Sequence, residues 1–107
     1  MEKKLKVLLV CGTGASTSFM AAKMRYAARQ RGIDISITAR SESEISNYLG
    51  DIDVVMVGPH LGIYFDELKE RFSEETKIIL MDNDYFGKLD GDKAIDHLLS
   101  ELNKLHD

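Results

Sequence analysis

The sequence predicts an α/β fold in which an open parallel sheet carries helices on both faces. Three short runs, "LKVLLVC" (5–11), "DVVMVG" (53–58) and "KIILMD" (77–82), consist mostly of Val, Ile, Leu and Met without alternation. Strands that are covered on both faces have this composition. Helical patterns separate the runs, and strands that alternate with helices along a chain favour a parallel sheet. With no repeat and no linker, residues 1–107 are predicted to form one domain.

The segment "IDISITAR" (33–40) differs from the three runs because its isoleucines alternate with polar residues. Alternation of this kind is typical of a strand that is covered on one face only, so we predict that it lies at an edge of the sheet.

Four helices are predicted between and after the strands. The first extends from about Ser16 to Arg31, and Gly32 suits its C-terminal cap. Ser41 and Glu44 have the spacing of a capping box, before a short helix that ends near residue 50. Pro59 precedes the apolar stripe of the third helix, which reaches residue 72. Asp92 is the predicted N-cap of the last helix, whose stripe reaches residue 105.

Composition excludes several classes of protein. The formal net charge is −4 and no cluster of Lys and Arg occurs, so the chain lacks the electrostatic pattern of a nucleic-acid-binding protein. A single cysteine allows no internal disulfide and too few thiolates for a cysteine-rich zinc site, and no cluster of metal ligands is visible. No segment approaches the roughly 18 apolar residues that a membrane span requires. We therefore expect a cytoplasmic protein without metal or cofactor.

Candidate chemistry is concentrated in "VCGTGASTS", where the only cysteine, Cys11, ends the first predicted strand. Ligands of open α/β sheets bind outside the carboxyl ends of the strands. The glycines after Cys11 let successive backbone N–H groups converge, and the helix that follows adds unpaired N–H groups and a positive dipole end. Such a loop favours an anion, and a cysteine beside it commonly has a lowered pKa, which makes it nucleophilic.

Other interpretations of this loop differ in what the sulfur does. A lone cysteine that ends a buried strand can be an inert core residue, and the chain would then be a binding module. The dinucleotide and nucleotide-binding glycine patterns both fail, since no third glycine and no Gly-Lys pair follow. The phosphatase pattern C-x5-R is nearer, but Thr17 stands where it needs arginine. An arginine clamps a phosphoryl group with two hydrogen bonds and a full charge, so Thr17 argues for a loop that holds phosphate less firmly.

Three segments, "VCGTGASTSFMAAKM", "VVMVGPHLGIYFDEL" and "YFGKLDG", resemble the IIB component of the phosphoenolpyruvate:sugar phosphotransferase system, lactose/cellobiose family. The block C-[SAG]-x-G-x-S-T-S matches from Cys11 to Ser18, and is nearer to the cellobiose and diacetylchitobiose branch than to the lactose branch. The resemblance implies a four-stranded parallel doubly wound sheet, for which we predict the strand order 2-1-3-4.

The same resemblance implies a phosphocysteine carrier. Cys11 would accept phosphate from a phosphohistidine of the IIA protein and pass it to a sugar in the membrane transporter IIC. The cradle of the phosphate would be Gly12, Thr13, Gly14, Ala15, Ser16, Thr17 and Ser18. We expect a monomer that forms transient complexes, associates peripherally with the transporter and binds no nucleic acid. The alternative is an enzyme of the phosphatase or arsenate reductase type, with the same kind of cysteine loop.

Residues from other loops are weaker candidates for the site. Pro59 and His60 follow the third predicted strand and Asp82 and Tyr85 follow the fourth, so all four could lie near Cys11. Two of them also have a simpler interpretation: His60 as a solvent-facing loop residue, and Asp82 as a residue that caps a helix or hydrogen-bonds a loop. The family's Tyr-Gly-Lys-x-Asp-Gly element carries an additional residue in this chain, Phe86. We predict that the two remaining histidines, His97 and His106, are solvated. The apolar residues near the loop are predicted to form either core or a docking patch; they are Phe19, Leu61 and Tyr64.

Overall fold

The computed structural model describes residues 4–12 and 15–103, with the backbone only at residues 15 and 16. Its strands are β1 (Leu5–Cys11), β2 (Ile35–Ser41), β3 (Val54–Val57) and β4 (Lys77–Leu80). The α-helices are α1 (Ala15–Arg31), α2 (Ile45–Tyr48), α3 (Phe65–Phe72), α4 (Asn83–Gly87) and α5 (Gly91–Asn103). Two 3₁₀ segments, Glu42–Glu44 and Pro59–Tyr64, precede α2 and α3. None of the described helices is both long and apolar enough to cross a membrane.

The strands form one parallel sheet in the order β2-β1-β3-β4, which confirms the predicted topology. The alternating strand β2 lies at an edge, as predicted from its pattern. At the carboxyl end of β1, Cys11 pairs with Ser41 of β2, and Val10 pairs with Val57 of β3. The central position of β1 therefore places Cys11 in the middle of the sheet's carboxyl edge.

Each face of the sheet is covered by its own apolar cluster. Val7 and Leu9 of β1 belong to a cluster with α1 and α5, whereas Leu8 and Val10 belong to a cluster with α2 and α3. Successive side chains of a strand point to opposite faces, so β1 supplies both cores. By the same alternation Cys11 lies on the α1 side of the sheet.

Helix ends explain most differences between the predicted and the observed elements. Gly32 follows α1 with φ +69°, and the capping box of Ser41 and Glu44 is present, both as predicted. The prediction for Asp92 is wrong: α5 begins at Gly91, and the carboxylate of Asp90 accepts from the backbone N–H of Lys93 at 3.2 Å. The stripe after Pro59 begins as a 3₁₀ segment rather than as an α-helix. Residue 105 lies outside the described residues.

A close backbone approach fixes α5 against α1. A Cβ on Gly91 would lie 2.3 Å from the carbonyl oxygen of Lys23, so no other residue fits at this position without a shift of the helices. At the far end of α1, Arg31 forms ion pairs of 3.1 Å with Asp92 and 2.9 Å with Asp96. These contacts hold the helix whose first turn follows the Cys11 loop.

Candidate functional site

The candidate site lies where the carboxyl ends of β1 and β3 adjoin. From β1 the chain proceeds to β2 on one side, and from β2 it crosses to β3 on the other side. The crevice at such a reversal of direction is where ligands bind in open α/β sheets. Cys11 ends β1 at this point, and the backbone N–H of Gly58 donates to the carbonyl oxygen of Val10 at 2.9 Å. The residues after β3 therefore lie beside the strand that carries the cysteine.

Thr17 brings the first turn of α1 into contact with the sulfur. It is the third residue of α1, its side chain is fully buried, and its Oγ1 donates to Cys11 Sγ at 3.5 Å. This threonine occupies the position at which the phosphatase pattern has arginine. The sulfur thus has a neutral hydroxyl donor, on a helix whose first backbone N–H groups have no partners within the helix.

Cys11 is itself buried, with 1 % of its surface exposed. Residues 7–10 before it are equally buried, so the sulfur lies at the end of the buried part of β1. The sulfur is therefore covered at the edge of the sheet, beside a polar helix terminus. Burial of the sulfur is the feature that the inert-core interpretation of Cys11 predicts, whereas its contact with a helix start is not.

The predicted cradle is described only in part. Gly12 and Ser18 are exposed, and Thr17 is buried. Thr13 and Gly14 lie outside the described residues, while Ala15 and Ser16 are known only as the first helical backbone units of α1. The described part consists of a strand end and a helix start that meet at one sulfur, which is an arrangement suited to a bound anion.

His60 lies at the same edge. Pro59 begins the 3₁₀ segment after β3, and His60 is exposed with its ring folded back over Gly58. Its other neighbour is the ring of Phe86, with 6.0 Å between the centroids and an interplanar angle of 47°. The sequence offered no signal for this second contact, because it depends on the position of α4.

Asp82 and Tyr85 have structural contacts. Asp82 is the N-cap of α4, where its carboxylate accepts from the backbone N–H of Asp84 at 3.4 Å. Tyr85 is buried in the cluster on the α1 side, and its hydroxyl lies 2.6 Å from His97 Nδ1. Burial raises the pKa of Tyr85 to about 12. Neither contact joins these residues to the sulfur.

The prediction that His97 is solvated is wrong. Its ring is half-buried against Tyr85, and its Nε2 lies 3.7 Å from Glu101 Oε2. The i,i+4 spacing of His97 and Glu101 was a signal for this pair, but nothing in the pattern indicated the tyrosine. His106 lies outside the described residues. In the part of the chain that the structure describes, no group of three or more His, Cys, Asp or Glu side chains could hold a metal ion.

A family model described as "PTS system, Lactose/Cellobiose specific IIB subunit" matches residues 6–97, which is most of the chain. The chain belongs to this family. The resemblance seen in the sequence is thereby confirmed, and as a IIB protein the chain is a component of a sugar phosphotransferase system.

Individual IIB proteins support the assignment. The chain is 31 % identical over 96 residues to the oligo-beta-mannoside-specific EIIB component of Bacillus subtilis (strain 168), with 89 % of this chain and 93 % of that protein covered. It is also 31 % identical over 96 residues to the cellobiose-specific EIIB component of Lactococcus lactis subsp. lactis (strain IL1403), with 83 % and 88 % covered. Relatives named for different sugars are thus equally similar to this IIB protein.

Solved IIB structures share the fold. The lactose-specific IIB domain from Streptococcus pneumoniae superposes with a TM-score of 0.81 at 19 % identity, covering 92 % of this chain and 97 % of that one. The solution structure of the cellobiose-specific IIB component from Borrelia burgdorferi gives a TM-score of 0.79 at 25 % identity, with 97 % and 96 % covered. The comparisons favour the IIB assignment over the phosphatase or arsenate reductase alternative.

Proposed function

We propose that this IIB protein is a phosphocysteine carrier in sugar uptake. Cys11 accepts a phosphoryl group from a phosphohistidine of a IIA protein and donates it to a sugar held by a membrane-embedded IIC transporter. The observation that carries the proposal is the meeting of Cys11 Sγ with the hydroxyl of Thr17, at the junction of the central strand and the start of α1.

The proposed transfer begins with attack of the Cys11 thiolate on phosphorus, in line with the bond to the imidazole nitrogen of IIA. The S–P bond forms as the P–N bond breaks, and the electron pair of that bond returns to the imidazole. Backbone N–H groups of the loop and the Thr17 hydroxyl neutralise the equatorial oxygens, since phosphoryl transfer depends mainly on positioning and charge stabilisation.

In the second step an oxygen of the sugar attacks the same phosphorus. The S–P bond breaks, and its electron pair remains on the sulfur as a thiolate. The proton of the sugar hydroxyl leaves to solvent or to a base of the transporter. Because a thiolate is a good leaving group, this step needs no general acid from the IIB protein.

The cover over Cys11 sets a condition on both steps. With 1 % of the residue exposed, no donor phosphorus can reach the sulfur along the line of attack until part of the cover moves. Docking of a partner on the carboxyl edge would supply that movement. Phe19 is 65 % exposed and Tyr64 51 % exposed, although both are large and apolar, so we assign them to the docking surface. The protein would work as a monomer in the cytoplasm, with transient contacts to IIA and the membrane transporter.

Thr17 explains why the site would carry phosphate rather than hydrolyse it. The phosphatase-type loop uses a charged, bidentate arginine to stabilise the transferring group. A buried threonine supplies one neutral hydrogen bond in its place, which holds the group without the same stabilisation of attack by water.

The test uses four proteins: the unchanged chain, Cys11→Ser, Thr17→Val and the matched control Thr17→Ser. Incubated with a phosphohistidine-bearing IIA protein of the lactose/cellobiose family, the unchanged chain should gain one phosphate with the pH stability of a thiophosphate. Cys11→Ser should gain none. Thr17→Val should slow the gain by about tenfold or more, because a single lost donor to a developing charge has effects of this order or larger. Thr17→Ser should keep most of the rate.

Two outcomes would overturn the carrier function. One is full phosphorylation of Cys11→Ser by the same donor. The other is sustained turnover of an aryl phosphate that Cys11→Ala abolishes, which would establish the phosphatase alternative.

A further inference from the structure

His60 is held at the crevice between β1 and β3 by contacts on two sides. The point that a Cβ on Gly58 would occupy lies 2.7 Å from His60 Cε1 and 3.4 Å from the carbonyl oxygen of Val10. Only a glycine at position 58 therefore lets the imidazole fold back onto the strand end, next to the residue before Cys11. Phe86 contacts the ring from α4, with its centroid 6.0 Å away.

Both nitrogens of this imidazole are available to a ligand. Within residues 4–12 and 15–103, His60 makes no hydrogen bond and no ion pair. Two cations on neighbouring elements have partners of their own. Arg40 Nε donates to the hydroxyl of Tyr48 at 2.7 Å, and Lys88 lies 3.9 Å from the carboxylate of Asp84.

The proposed carrier needs charge stabilisation at this place. A phosphoryl group adds between about −1.5 and −2 charges near neutral pH. One hydrogen bond to the sulfur comes from Thr17 on α1, and this donor is neutral. An imidazole at the carboxyl edge supplies a positive charge when it is protonated.

We propose that His60 contacts the phosphoryl group on Cys11 and, when protonated, favours the phosphorylated state, so that phosphoryl transfer through this protein is coupled to pH. The proposal rests on the carrier function argued above. It assigns to His60 a charge and a hydrogen bond to a phosphoryl oxygen. No proton is transferred to the phosphoryl group, and the sulfur remains the only nucleophile.

Other titratable groups near His60 have separate roles. On α4, Asp82 caps the helix and Asp84 pairs with Lys88 and Lys93. On its own segment the nearest titratable side chain in sequence is the exposed Tyr64, and on β1 it is Cys11 itself. Ionisation of the Cys11 thiol also changes the rate of phosphorylation. The test therefore uses the ratio of the rates of the variant and the unchanged chain at each pH, because the contribution of the thiol is the same in both proteins and cancels.

The experiment measures the initial rate of Cys11 phosphorylation by a phosphohistidine-bearing IIA protein between about pH 6 and about pH 8. The unchanged chain is compared with His60→Gln and with the control His106→Gln, which also removes one histidine. At the higher pH all three should react equally. At the lower pH His60→Gln should be slower by about tenfold or more, because the variant lacks the positive charge that the proposal places in hydrogen-bond contact with a phosphoryl oxygen. His106→Gln should follow the unchanged chain.

A second measurement tests directly for the contact between His60 and the phosphoryl group. In ¹⁵N spectra of the unchanged protein, phosphorylation of Cys11 should move the imidazole signals of His60, while those of His97 stay in place because its ring is bound between Tyr85 and Glu101. A rate ratio that is constant across the pH range, together with unmoved His60 signals, would refute the role of His60 and leave the carrier function intact. Absence of any phosphate on Cys11 at every pH would overturn both.

Discussion

Gly91→Ala tests whether the backbone contact between α5 and α1 holds the helix that adjoins the sulfur. A Cβ at this position would lie 2.3 Å from the carbonyl oxygen and 2.5 Å from the carbonyl carbon of Lys23, and 2.9 Å from the amide nitrogen of Met24. All three atoms are backbone, so no side-chain rotation relieves the clash. The two helices would have to separate by just over 1 Å to restore an ordinary contact of about 3.4 Å.

The cost is expected at the upper end of the range for overpacking, about 3 kcal/mol. A domain of this size is stable by between about 5 and 15 kcal/mol, so the variant should still fold. With a urea slope of about 1.5 kcal/mol per M, the unfolding midpoint should fall by about 2 M.

The control for this substitution is Gly87→Ala in α4. A Cβ at Gly87 meets nothing within 4 Å, and Gly87 does not have a positive φ. Alanine should therefore be neutral or stabilise the protein by up to about 1 kcal/mol. If both variants unfold at the same urea concentration as the unchanged protein, the close approach at Gly91 is not tight in solution and the argument from it fails.

Three further predictions concern Tyr85, the α5 cap and Cys11. The pKa of Tyr85 is raised from 10.0 to about 12, so between these pH values the folded state keeps a proton that the unfolded state loses. The free energy of unfolding should therefore fall as the pH rises from 10.0 to about 12, and the urea midpoint of Tyr85→Phe should fall less over the same range. Asp90→Ala should lower the unfolding free energy by about 1 kcal/mol and Asp92→Ala by less, and the reverse order would restore Asp92 as the cap. Iodoacetamide should modify Cys11 at least about tenfold more slowly in the native protein than in urea, whereas equal rates would mean that the sulfur is open to solvent.

The sheet could be predicted from the sequence because its strands carry a strong, local signal. Residues 5–11 are apolar without alternation, and β1 is indeed the strand that supplies both apolar clusters. The alternating segment became the edge strand β2. In both cases the composition of a few residues reports directly on how many faces of the strand are covered.

Helix starts were less predictable because several aspartates compete for each cap. Asp90 and Asp92 lie two residues apart at the start of the last helix, and α5 begins between them at Gly91, so that Asp90 is the cap. Likewise Asp82 caps a helix, α4, whose five residues are too few to show a periodic pattern. His97 was misassigned because its partner Tyr85 belongs to that same short helix.

The position of Cys11 follows from the sequence, whereas its contact with Thr17 does not. A cysteine at the end of a parallel strand, before a glycine loop and a helix, must lie at the carboxyl edge of the sheet. The contact of Thr17 with the sulfur requires in addition that the third residue of α1 turn inward. The spacing of six residues from the cysteine is compatible with that geometry, but only the packing of α1 on β1 brings it about.

A covered sulfur with a neutral hydrogen-bond donor is consistent with the task of a carrier. A phosphoryl group on an exposed cysteine would be open to attack by water between its arrival and its departure. In the proposed carrier, the cover over Cys11 would limit the access of water before a partner docks, and Thr17 would hold the group by a neutral hydrogen bond rather than by a full charge. The proposed contact of His60 with the phosphoryl group would fit the same requirement, because an imidazole, unlike an arginine, can lose its charge.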